Sequence, residues 1–260
     1  MTTSSAGSAP LPDAVRTARR FLAEHLPDAH LAIVAGSVVR GEGTPTSDLD
    51  IVAVADRHEA PFRASYRFEG VPIELFVHTD ASLPEWIQRD AARGRPSLAM
   101  MLAEGTIVRG GGEAQALQEA ARAVIAAGPA PLEPAALEDA RYRLTDLLDD
   151  FRGSTRRDES NLIAAALAEQ AATLLLQTRR RWWGEHKWTV RALRRADPDA
   201  ARRLALALDA WYRQDEKEGL IAVVSGALEE AGGELFDGYY RSAAKETVRG
   251  SDTSLEQGTP

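Results

Sequence analysis

An apolar run, Leu31-Ala32-Ile33-Val34-Ala35, is cut by Gly36-Ser37, and after ten intervening residues Asp48-Leu49-Asp50-Ile51 opens a second apolar run. Runs of this length punctuated by turn residues read as short buried strands. In a strand, residues i and i+2 point to one face, so Asp48 and Asp50 present their oxygens side by side. Two carboxylates that close repel each other and take up protons unless a cation compensates them. Hard cations such as Mg2+ are bound through oxygen, so a divalent metal is the simplest account of the pair. A third carboxylate, Glu74, lies between Ile73 and Leu75 in the apolar run 71–78. An acid in such a setting is costly unless a cation or hydrogen bonds satisfy it.

Composition narrows the rest. At 260 residues the chain has room for one large domain or two modest ones, each with its own core. The absence of cysteine excludes disulfides, thiolate catalysis and a Cys-based zinc site, leaving oxygen ligands. No apolar run reaches the roughly 18–20 residues of a membrane span, and the N-terminus lacks the pattern of a signal peptide, so no membrane partner and a cytoplasmic location are expected. A net charge of −8 argues against DNA and weakly favours a cationic small substrate. The five histidines share no spacing, and none is read as a metal ligand.

Along the chain, Asp13 is placed to cap a helix carrying Val15, Ala18, Phe21 and Leu22 at helical spacing and ended by Pro27. A second helix is expected to begin at Gly36-Ser37. Strands follow at 49–55, 62–68, 71–78 and 106–109, with helices at 84–92 and 97–104. Beyond Gly110-Gly111-Gly112 the pattern is helical throughout: 114–127, a helix through Leu137, Leu144 and Phe151, a long one at 159–183, a stripe through Leu204, Leu208 and Trp211, and 220–231. The expected fold class is α+β. An N-terminal α/β domain at 11–112 with a mixed sheet precedes a helical bundle at 113–242, with disordered tails at 1–10 and 243–260.

Read together, Val34-Ala35-Gly36-Ser37, Asp48-Leu49-Asp50-Ile51 and Glu74 resemble the nucleotidyltransferase signature of the DNA polymerase beta superfamily. The run from Gly36 to Asp50 looks like its small aminoglycoside-type and minimal members. The resemblance covers about 40 residues, from Ile33 to Glu74, and reaches no motif of the helical half. It implies a Mg-dependent, adenylyltransferase-like enzyme with a small-molecule hydroxyl as acceptor. Asp48 and Asp50 would hold two Mg2+ ions in a two-metal arrangement. Glu74 would complete the ligand set or act as base. Gly36 and Ser37 would meet the triphosphate of ATP or another NTP at a helix N-terminus, aided by Arg40, Ser47 and, from the helical half, Lys187. Glu104 and Glu169 are candidate base or substrate contacts. In the segment 182–188, dense in tryptophan, the aromatic rings either plug the bundle or stack on a ligand.

The expected acceptor is an aminoglycoside or related amino sugar, as in antibiotic resistance. Asp146, Asp149, Asp150 and Glu169 are available to meet its ammonium groups. A toxin-antitoxin-type enzyme modifying a protein or tRNA is the first alternative, kept open by Arg179-Arg180-Arg181, Arg191, Arg194 and Arg195. A non-catalytic nucleotide-binding regulator is the second, disfavoured by three mutually repelling acids. A monomer or a homodimer fits equally well.

Overall fold

The computed structural model describes residues 11–44, 46–56 and 61–242. The expectations for 1–10 and 243–260, and His58, lie outside the described residues. Among those described, the order is α1 (Leu11–His25), β1 (Leu31–Ala35), β2 (Leu49–Val54), β3 (Phe62–Phe68), β4 (Val71–His78), α2 (Ser82–Ala92), α3 (Ser97–Glu104) and β5 (Thr106–Arg109). The rest is helical: α4 (Gly111–Ala127), α5 (Pro134–Gly153), α6 (Arg157–Thr178), α7 (Lys187–Ala196), α8 (Pro198–Gln214) and α9 (Glu218–Glu230). The fold is α+β, with a mixed sheet followed by a helical part. No described helix is long and apolar enough to cross a membrane.

The sheet runs β3-β4-β2-β1-β5. β2 and β4 are parallel, and the other neighbours are antiparallel. Alternation along each strand feeds two cores. Ile51, Ala53, Ile73, Leu75 and Val77 pack under α1 through Ala14, Ala18, Phe21 and Leu22, the apolar stripe a helix needs to cover a sheet. Ile33, Val52 and Val54 face the other way, against α2, α3 and α4. β3 and β4 are joined at Glu69-Gly70, both at positive φ (51° and 81°), the conformation of a two-residue hairpin turn. That turn fixes the register opposing Ser65 to Glu74 and Arg63 to Phe76.

Three local expectations change. Asp13 lies in the first turn of α1 and pairs with Arg16. Gly36-Ser37 opens no helix: the chain makes a single turn closed by Arg40 N–H to Gly36 O at 3.4 Å, then loops away at Gly41. The long helix stops at Thr178 rather than Trp183, because Arg180 adopts φ 52° and the Arg181 N–H returns to Leu176 O at 2.7 Å. A separate helix, α7, follows it. Ala114 and Ala121 of α4 share a core with the sheet, whereas Leu144, Leu148 and Phe151 of α5 belong to the helical cluster.

In the helical part, Leu148, Phe151, Leu167, Leu174, Leu204, Trp211 and Leu228 form one apolar cluster. Arg179 clamps its helices at one end, with a two-pronged bond to Glu230 (2.6 and 2.7 Å) and one to Asp197 (2.7 Å). Asp197 also caps α8, its Oδ1 accepting from Ala200 N at 2.8 Å, with Pro198 next in the chain. The segment between α6 and α7 joins this cluster to the sheet unit. Trp182 Nε1 donates to Ile125 O at 2.8 Å, Trp183 N donates to Gly94 O at 3.1 Å, and Arg95 pairs with Glu185. Gly94 is at φ 69°, and a Cβ there would overlap the Trp183 indole.

Candidate functional site

Asp48, Asp50 and Glu74 converge at the edge of the sheet where β1 ends. Parallel pairing sets Asp50 directly beside Glu74, and antiparallel pairing sets it opposite Ala35. Asp48 precedes β2 by one residue and shares Asp50's face. One carboxylate oxygen from each of the three lies within 4.8 Å of the others. The Asp50 carboxyl is pushed up to about 6, first by burial, then by the negative charges of Asp48 and Glu74, with Arg40 and Arg63 opposing. Burial and two acidic neighbours both disfavour the charged form, and a bound cation would offset both. The donor set, hard oxygens at close range, fits a hard divalent cation.

The turn after β1 shapes the other wall. Gly36 is at φ 88°, and any side chain there would overlap Asp50 Oδ2, so glycine alone lets the backbone lie against that carboxylate. Ser37 Oγ donates to Ser47 Oγ at 3.1 Å, and Ser47 Oγ accepts from Thr44 N at 2.9 Å. Ser47 thus ties the turn to the strand bearing Asp48 and Asp50. A single turn carries little macrodipole, so the Ser37 hydroxyl and adjacent backbone, rather than a helix terminus, are what this turn offers a phosphate.

Arg63 was not read from the sequence as a site residue, yet it pairs with Glu74, whose side chain is only 20% exposed. Its signal was the Glu69-Gly70 turn, from which the β3 register follows by counting. Arg40 reaches Glu42 (3.2 Å) and Glu104 (3.4 Å), while its Nη2 is buried with no hydrogen-bond partner. Glu104 thus stands behind Arg40. On the helical side, Arg40, Lys187 and Arg191 lie 5.2, 5.8 and 4.8 Å from the centre of the Trp188 ring. The structure therefore brings Lys187 to the Arg40 side of the sheet. Glu169 accepts from the His186 N–H at 2.6 Å and fixes the start of α7, where His186 has φ 50°.

Asp146, Asp149 and Asp150 lie exposed on α5, which packs on α6 and α9, and Asp149 is bonded by Arg152 at 2.8 Å. At the opposite end of the sheet, a cleft of about 640 Å³ is lined by His30, Asp56, Asp80 and Glu113. One donor atom each from His30, Asp56 and Asp80 also falls within 4.8 Å of the others. All three side chains are exposed, and His30 sits 3.4 Å from Asp80 as an ion-pair partner.

The nucleotidyltransferase domain family matches residues 15–91, the span from α1 through α2 that contains the turn and all three carboxylates. No curated protein matches the chain. Among solved structures, a nucleotidyltransferase-like protein from Exiguobacterium sibiricum 255-15 is similar at 12% identity and a TM-score of 0.44, over 84% of this chain and 77% of that one. That likeness is too distant to carry an argument. The resemblance carried by Gly36-Ser37, Asp48, Asp50 and Glu74 is thus met by a match to the nucleotidyltransferase domain family over residues 15–91.

Proposed function

We propose that the protein transfers a nucleoside monophosphate, AMP in the first instance, from a Mg-bound nucleoside triphosphate to an acceptor hydroxyl at Asp48, Asp50 and Glu74. The observation that carries this reading is the convergence of three carboxylates on a glycine turn, with the Asp50 carboxyl pushed up to about 6 by burial and by its two acidic neighbours. Divalent cations at these carboxylates would supply charge neutralisation of the triphosphate and activation of the acceptor oxygen. The chain's own residues bind and orient. The Gly36 turn gives the phosphates close access to backbone, Ser37 offers its hydroxyl from a position set by Ser47, and Arg40, whose buried Nη2 has no hydrogen-bond partner, supplies positive charge near Asp50. Lys187 approaches from α7. Arg63 holds Glu74 in place and supplies positive charge near the carboxylates.

We place the division between the two units in the segment 128–133, after α4. The acids that suggested an amino sugar are engaged or remote: Asp149 is held by Arg152, Glu169 by His186, and α5 packs away from the sheet. The geometry therefore favours transfer to a hydroxyl without favouring that acceptor. The test is incubation of the full chain with each α-labelled nucleoside triphosphate, Mg2+ and a panel of acceptors including amino sugars, with Asp48→Asn as control. Label transfer with pyrophosphate release, lost in the variant, is expected. Equal release by both proteins would refute the reading.

A further inference from the structure

Arg63 reaches the carboxylate site from the edge of the sheet. β3 lies outermost, and its register against β4 sets Arg63 opposite Phe76 and Ser65 opposite Glu74. Side chains two apart on a strand share a face, so Arg63, Glu74 and Phe76 stand on one side of the sheet, with Asp50 next along through its pairing with Glu74. The contact between Arg63 and Glu74 is lopsided. The Glu74 side chain is 20% exposed, whereas that of Arg63 is 61% exposed and bonds one carboxylate oxygen, Oε1, through one nitrogen, Nη2. The guanidinium also lies 5.0 Å from the centre of the Phe76 ring, a resting place that does not depend on the carboxylate. Arg40, the other cation facing Asp50, differs: its side chain is largely buried and pairs with both Glu42 and Glu104. Among the described residues, Glu74 is the one carboxylate in ion-pair range of Arg63. Of the two arginines that answer the three acids, one is fixed and the other has little to keep it.

Resting on the reading that divalent cations load at Asp48, Asp50 and Glu74, we propose that Arg63 is the resident counter-ion of Glu74 in the metal-free protein and surrenders it on loading. The site thereby exchanges a guanidinium for a divalent ion. Three acids with oxygens within 4.8 Å of one another repel or take up protons when no cation is at hand. Arg63 offsets that repulsion from the edge strand and keeps Glu74 turned toward its two neighbours. The same guanidinium opposes an incoming divalent ion, and a single positive charge at this range weakens binding by about tenfold at the high effective dielectric of a half-exposed site. An exposed ion pair contributes little to stability, so Arg63 gives way at small cost, its guanidinium remaining over Phe76 while Glu74 Oε1 is freed. Arg63 is thus a positioning residue that acts through Glu74. The exchange keeps the carboxylates assembled before loading and sets the cation concentration at which loading occurs.

The test uses the full chain and Mn2+, with binding followed by electron paramagnetic resonance for wild type, Arg63→Gln, Arg63→Lys, Glu74→Gln and the Arg63→Gln/Glu74→Gln double variant. Arg63→Gln is expected to bind Mn2+ about tenfold more tightly than wild type. Arg63→Lys should stay within about threefold of wild type, because a single-pronged contact needs the charge and not the fork. In the Glu74→Gln background the change at Arg63 should move affinity by less than about twofold, since the two side chains act as a pair. In chelator, Arg63→Gln should melt about 1–3 °C below wild type, and in saturating Mn2+ at or above it. An arginine that only anchors β3 would lower the melt in both conditions and leave Mn2+ affinity where it was. That result, or weaker Mn2+ binding by Arg63→Gln, overturns the exchange, and in either case Mn2+ binding lost in Asp48→Asn leaves the metal site standing. Mn2+ bound equally by wild type and Asp48→Asn overturns the metal site, and the exchange with it.

Discussion

Gly36 and Asp50 occupy one another's space: the Asp50 carboxylate fills the volume in which any side chain at position 36 would stand. The turn that follows β1 and the acid at the second position of β2 are therefore one structural unit. Glycine is required there both by its φ of 88° and by the approach of Oδ2. In the proposed function, a phosphate would contact the backbone of residue 36 beside the carboxylate that would hold the metal.

Gly36→Ala is expected to lower nucleotidyl transfer by about 100-fold, in line with the cost of a displacement near 1 Å at a reacting centre, and to cost about 1–2 kcal/mol of stability from the left-handed backbone. Steady-state kinetics alongside a thermal melt check both. Wild-type turnover in a variant that folds would show that Asp50 does not depend on this approach.

The Asp50 carboxyl, held at about 6 against an ordinary 3.8, makes apo stability fall with pH. Between those values the folded chain keeps a proton that the unfolded chain has lost, so raising the pH through that window favours unfolding. In chelator, Asp50→Asn is expected to remove this loss and to melt higher than wild type at neutral pH, by about 2–4 °C for each kcal/mol relieved. Mg2+ should stabilise the wild type and not the variant. Parallel melting curves for both proteins from acid to neutral pH would contradict this.

Gly94→Ala should loosen the helical part from the sheet, since the new methyl meets the Trp183 indole at a positive φ. A loss of about 2–3 kcal/mol is expected, combining overpacking with backbone strain. Chemical denaturation followed by tryptophan fluorescence measures it, and an unchanged midpoint would mean that the Trp183 contact does not hold the two parts together.

Glu104→Gln separates a base from a support. Glu104 lies 3.4 Å from Arg40 Nη1 and would act through that side chain, so a fall of less than about tenfold is expected, felt in KM for the nucleotide. Loss of a general base costs about 100-fold or more in kcat. A kcat effect of that size, with KM unchanged, would make Glu104 the base.

Much of this was legible in the residues. β4, α3 and β5 follow the sequence boundaries because their apolar alternation and flanking turn residues agree. The three carboxylates could be gathered from i, i+2 spacing plus one acid in an apolar strand. The illegible parts depend on backbone conformations that the residue types do not announce. Arg180 and His186 take positive φ where glycine is the usual signal, so the long helix reads as running on to Trp183 and α7 goes unread. The turn at Gly36 reads as a helix start, but Arg40 turns to Glu42 and Glu104 and the chain leaves after one turn. Arg63 belonged to a strand whose register becomes readable only once Glu69-Gly70 is recognised as a two-residue turn.

The most direct measurement is divalent-cation binding by Mn2+ electron paramagnetic resonance, comparing wild type with Asp48→Asn and Asp50→Asn in the presence of a non-hydrolysable nucleoside triphosphate. Saturable Mn2+ binding in the wild type, weakened by at least about tenfold in each variant, is the expected result. Mn2+ bound equally by all three proteins would show that these carboxylates do not form the metal site.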